Sequence, residues 1–172
     1  VAVNIPRFIR LLRDGDLHSL TVETLMERTG MTRSLFYHYF KSLDEIVIAL
    51  IEEQLDLNPK AAGFIFDGFP RTVPQAKALD DSLAGRGQKV DAVIRLKVDE
   101  NALIARVTKR FEQEGRADDN PEAFKKRLVA YNNQTAPLVE VYKGQGKLTE
   151  IDGMADVGTV ANSIAAILDG RK

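Results

Sequence analysis

Two short apolar runs constrain this chain most. Gly63–Asp67 reads GFIFD, and Val90–Val98 reads VDAVIRLKV. Runs of this length suit strands buried on both faces of a parallel sheet. A further strand is expected at about Lys147–Asp152. Helical spacing lies between and after them, in Asn101–Arg110 and Val157–Leu168. The expected class is therefore α/β and helix-rich. Asp67 closes the first run at what would be its carboxyl end. Ligands of open parallel sheets gather at such ends, and an acid there can hold a nucleotide's magnesium through water. An Asp in that place also serves as a cap for the next turn.

The first 43 residues read differently. Ile5, Phe8, Ile9 and Leu12 have helical spacing, ended by Asp14-Gly15-Asp16. Thr21 is placed to cap a second helix, with Val22, Leu25 and Met26 on one face. Thr29-Gly30-Met31 is a turn, and Gly30 suits a left-handed C′ position. Thr32 is placed to cap a third helix over Arg33–Phe40. Two short helices joined by a glycine turn match a helix-turn-helix. Its second helix would present Thr32, Arg33, Ser34, Tyr37 and His38, with Leu35 and Phe36 facing inward. A plain three-helix core with a solvated polar face fits the same pattern equally well.

The wording of this segment adds to its pattern. LTVETLMERTGMTRSLFYHYFKSLDE resembles the DNA-binding domain of TetR-family repressors over about residues 5–45, through Thr21-Val22, Gly30, Phe36-Tyr37, Phe40 and Lys41-Ser42. That resemblance implies DNA as a partner, contacted by Thr32, Arg33, Ser34, Tyr37, His38 and Lys41. The first helix is short for that family, and the large helical dimerisation domain is absent from these residues. A single module would bind DNA weakly and with steep salt dependence.

Charge permits such a contact without demanding it. Residues 1–43 carry six Lys/Arg against four acids, a net +2, and the remainder carries 18 against 21, a net −3. There is no cysteine, which excludes disulfides and thiolate zinc sites. With only His18 and His38, no protein-only histidine metal site is expected. No apolar run reaches the roughly 20 residues of a membrane span, and no signal peptide is visible. The expectation is a cytoplasmic chain with no membrane partner. Its first residue is Val1, which fits a processed or trimmed piece.

Ser42-Leu43-Asp44-Glu45 reads as a capping box, opening a helix that carries Ile46, Val47, Leu50 and Leu55 to about Asp56. Asn58-Pro59 ends it. A second resemblance begins at Asp44, so the chain reads as a chimera joined where both parents start a helix.

DGFPRTVPQA, residues 67–76, is a specific signature of adenylate kinases, which interconvert ATP plus AMP and two ADP. The resemblance covers about residues 44–169. It implies that Gly68 and Arg71 contact AMP, with the arginine forked onto its phosphate. It implies that Gln75 reads the adenine edge and that Asp67 lies near magnesium. Arg106 would meet ATP, Arg110 the transferring phosphates, and Arg116 and Arg127 would complete the arginine set. Any one of these arginines alone would more simply be a surface cation paired with an acid. Phosphoryl transfer asks for dense positive charge and exclusion of water more than for a nucleophile. The lid is reduced to about Phe111–Gly115 and carries no cysteine for zinc.

Members of that family begin with a strand and a Gly-x-x-x-x-Gly-Lys-[Ser/Thr] loop. Gly63 and Gly68 have the glycine spacing, but Phe69 follows; Gly153 and Gly158 have it, but Thr159 follows. The backbone cradle and lysine for the β- and γ-phosphates are therefore missing from these residues. In the family that loop's strand is the central one of five, so Gly63–Asp67 and Val90–Val98 would lose their shared neighbour. Their edges would be exposed or would pair with each other, leaving about three strands.

Taken together, the expectation is a helix-turn-helix in residues 1–43, then an incomplete parallel-sheet core of nucleoside monophosphate kinase type in 44–172. Adenine nucleotides (AMP, ADP, ATP) would bind weakly, with little or no catalysis. Magnesium would arrive only with ATP or ADP, and no metal site of the protein's own is expected.

Overall fold

The computed structural model describes residues 21–114 and 120–170. The helix expected over Ile5–Leu12 and its Asp14–Asp16 stop lie outside them. The chain divides into two compact units, 1–69 and 70–172.

In the first unit, α1 is Val22–Thr29, α2 is Arg33–Tyr39 and α3 is Leu43–Leu57. Thr21 caps α1 reciprocally. Its hydroxyl accepts from the Thr24 N–H at 3.1 Å, and the Thr24 hydroxyl oxygen accepts from the Thr21 N–H at 2.9 Å. Gly30 ends α1 in the left-handed region, at φ +68°, and its N–H donates to the Met26 carbonyl. Thr32 caps α2 through the Leu35 N–H. Ser42 caps α3 through the Glu45 N–H at 3.4 Å. The expected capping box there closes differently. Glu45 Oε2 accepts from the N–H of Lys41 at 2.7 Å, one residue before the cap.

The three helices enclose Leu25, Met31, Phe36, Phe40, Ile46 and Leu50. Phe36 is fully buried and meets Tyr37 edge-on at 4.9 Å. Truncating a core phenylalanine of this kind costs about 3–5 kcal/mol.

Gly63–Asp67 is not a strand. Among the described residues the sheet has two strands, and this run joins neither. Ile65 is 80 % exposed. Apolar composition selects a buried strand only where a neighbour takes up its backbone N–H and C=O groups, and no described strand does so here.

In the second unit, α4 is Val73–Ala84, β1 is Val93–Lys97, α5 is Glu100–Glu114 and α6 is Pro121–Ala130. A π-helical turn, Tyr131–Thr135, runs on into α7, Pro137–Gly144; then come β2, Leu148–Asp152, and α8, Val157–Asp169. β1 and β2 pair in parallel, from Val93 opposite Leu148 to Lys97 opposite Asp152. The second expected strand is thus shorter than Val90–Val98. Among the described residues there are two strands, not three, because Gly63–Asp67 drops out. Phe111 to Glu114, expected as a short lid, continue α5.

Ala76 of α4 packs with Leu138 and Tyr142 of α7, beneath Val93 and Leu148 of the sheet. Burial there, with the Asp80 charge nearby, pushes the Tyr142 hydroxyl up to about 12. Arg95 and Glu150 face each other across the strands at 2.8 Å. Burial alone pulls Arg95 down, but Tyr131 and Glu150 outweigh it and hold the guanidinium above its ordinary value.

Candidate functional site

Arg71 sits one residue ahead of α4. Thr72 is the N-cap, and its hydroxyl accepts from the Gln75 N–H at 3.3 Å. The Gln75 side chain folds back, and its Oε1 accepts from the Arg71 N–H at 2.7 Å. The Thr135 hydroxyl donates to the Arg71 carbonyl at 2.8 Å. Both backbone groups of Arg71 are thus held by side chains, while the residue itself is exposed. Fixing both backbone groups narrows the directions in which the arginine's planar fork can lie.

Arg106 and Arg110 lie one turn apart on α5, the first exposed and the second half-buried. Arg127 is exposed in the last turn of α6, which packs on α5. Arg116 lies outside the described residues. Asp67 and Gly68 belong to the first unit. Asp67 is exposed, and Gly68 has φ +72°, a conformation that favours glycine. The structure therefore joins Arg71 to Gln75, and it sets Arg106, Arg110 and Arg127 on one packed helix pair.

Thr135 was not found by sequence reasoning. Its signal is Pro137, two residues on. Proline donates no hydrogen bond, and its ring presses on the carbonyl four residues back. The helix widens just before it, and the Ala136 N–H donates to Tyr131 five residues back.

A cavity of about 360 Å³, lined by Lys89, Val90, Asp91, Gln145 and Lys147, opens beside the amino ends of the strands. Nucleotides of parallel sheets bind at the carboxyl ends, so the chemistry favours the arginine-bearing elements over this hollow. Among the described residues no group of three or more His, Asp or Glu is placed to hold a metal ion. Nor is any helix among them long and apolar enough to cross a membrane.

In the first unit, Thr32, Arg33, Ser34, Tyr37, His38 and Lys41 are all exposed. Arg33 is ion-paired with Glu23 of α1. The Glu23 carboxyl lies below its ordinary value, mainly through its own backbone N–H.

A sequence model of the adenylate kinase family matches residues 16–147. This chain belongs to the adenylate kinase family. The match starts inside residues 1–43. An adenylate kinase of Caulobacter sp. (strain K31) is 68 % identical over 125 residues, covering 73 % of this chain and 66 % of that protein. One from Phenylobacterium zucineum (strain HLK1) is 60 % identical over 127 residues, covering 74 % and 67 %. One from Brucella ovis (strain ATCC 25840 / 63/290 / NCTC 10512) is 53 % identical over 131 residues, covering 73 % and 68 %. The chain spans about two thirds of the length of the curated relatives it matches.

Proposed function

We propose that these 172 residues bind adenine nucleotides, AMP more tightly than ATP, and do not by themselves transfer a phosphoryl group. The observation that carries the AMP side is the fixing of Arg71 by Gln75 and Thr135. Arg71 then grips the phosphate, and Gln75 reads the base. On the ATP side, Arg106, Arg110, Arg116 and Arg127 supply positive charge. The sequence as it stands has no Gly-x-x-x-x-Gly-Lys-[Ser/Thr] loop to hold a triphosphate. Magnesium would be held by the nucleotide's own phosphates and would supply charge neutralisation.

Charged hydrogen bonds to one phosphate contribute about 1.5–3 kcal/mol each. Set against the ordering cost of binding, millimolar affinity is expected, about −4 kcal/mol. Calorimetry with AMP and with ATP tests this. ATP binding tighter than AMP would overturn the assignment.

A second reading rests on a separate observation, the exposure of all six residues Thr32, Arg33, Ser34, Tyr37, His38 and Lys41 on and beside α2. It is that this segment, of TetR type, was joined to the kinase-derived body and contacts DNA phosphates. A low-salt titration with duplex DNA tests it.

A further inference from the structure

We infer that Thr135 is a positioning residue for Arg71, delivered to it by the π turn. The inference rests on the nucleotide reading above and names what makes Arg71 competent.

A threonine inside a helix ordinarily bonds its hydroxyl to a carbonyl three or four residues back. Thr135 instead donates to Arg71, 64 residues away in sequence. It reaches that carbonyl from the last position of the π turn. Such turns are rare and concentrate at functional sites. Pro137 accounts for the widening, and the widening changes the face on which Thr135 emerges compared with an unbroken α-helix.

The turn is tied down along its length. Asn132 Nδ2 donates to Glu100 Oε1 of α5 at 3.3 Å. Tyr131 interacts with Arg95 of β1. Thr135 therefore acts from a braced segment, not from a loop. Its hydroxyl closes the carbonyl side of Arg71 while Gln75 closes the N–H side. With both peptide groups fixed, the direction in which the guanidinium leaves the backbone is set before any anion arrives, and part of the ordering cost of binding is already met. The ligand class is a nucleoside monophosphate, presenting one dianionic phosphate to one arginine fork.

Thr135→Val keeps the shape and removes the hydroxyl; Thr135→Ser keeps the hydroxyl. In calorimetry Thr135→Val should weaken AMP about ten-fold, the loss expected for one hydrogen bond. Thr135→Ser should bind AMP like the unsubstituted chain. In an Arg71→Ala background Thr135→Val should change nothing further. Unaltered AMP affinity in Thr135→Val, or an equal loss in the Arg71→Ala background, would overturn the inference. The Arg71 amide resonance is a readout independent of ligand. It should shift and broaden in Thr135→Val but not in Thr135→Ser, and an unmoved resonance would also overturn the inference. If the unsubstituted chain ignores AMP, the nucleotide reading falls, and the Arg71 resonance still decides whether Thr135 holds that residue.

Discussion

The Gly153 N–H donates to the Lys97 carbonyl at 2.8 Å, carrying the parallel ladder one residue beyond the last paired position, Lys97 opposite Asp152. The approach leaves no room for a side chain. A Cβ on Gly153 would lie 2.9 Å from Val98 Cγ1 and 3.0 Å from the Lys97 oxygen. Gly153→Ala should therefore destabilise the second unit by about 1–3 kcal/mol through overpacking. Chemical denaturation reads this as a lowered midpoint at unchanged slope. An unchanged midpoint would show that the strand end yields without cost.

Stability should fall at both pH extremes for assignable reasons. Tyr142 titrates near 10 when unfolded and near 12 when folded, so its contribution is present below pH 10 and lost as pH rises from 10 to 12. Tyr142→Phe should flatten that alkaline slope. Asp156 caps α8, and the Thr159 hydroxyl and N–H hold its carboxyl below the ordinary value. Its contribution is present above the unfolded value of 3.8 and lost as pH falls through the folded one. Asp156→Asn, which keeps a capping oxygen, should remove that acid sensitivity. Thermal melts across pH for the three chains check both limbs.

If α2 contacts DNA, its Arg33 must leave Glu23. The pair is exposed, so breaking it costs little. Glu23→Gln removes both the competitor and a repelling charge, and it should strengthen low-salt DNA binding. Arg33→Ala and Lys41→Ala should each weaken binding without regard to sequence and lower the salt slope by about one. Equal binding by all four chains in a salt-series titration would remove DNA from the account.

A coupled assay with ATP and AMP should detect no turnover by these 172 residues. These residues carry no Gly-x-x-x-x-Gly-Lys-[Ser/Thr] motif, and loss of even one transition-state donor costs about 10²–10³ in rate. Turnover in the range of about 1–100 s⁻¹ would contradict this.

Local chemistry was legible in the sequence. Thr21, Thr32 and Ser42 cap the helices they were expected to cap, because capping is settled within four residues. Gly30 takes the left-handed turn for the same reason. The strand at Gly63–Asp67 was not legible, because a parallel strand is specified by its neighbours as much as by its own residues. GFIFD reads as a buried strand, yet it leaves Ile65 exposed. Glu45 reaches Lys41 instead of the cap residue, a one-residue choice of rotamer that spacing does not determine. At the site, the motif named Arg71 and Gln75 but not their hydrogen bond. For Thr135, Pro137 marks the break in the helix, but the backbone carbonyl it touches has no sequence signature.

The central claim is that Arg71 holds the phosphate of AMP. Chemical-shift mapping with AMP tests it most directly, on the unsubstituted chain and on Arg71→Ala. The account predicts saturable shifts at residues 71–75, with a midpoint near 1 mM, about −4 kcal/mol, and their loss in Arg71→Ala. No shift up to about ten times that concentration, or the same shifts in Arg71→Ala, would contradict it.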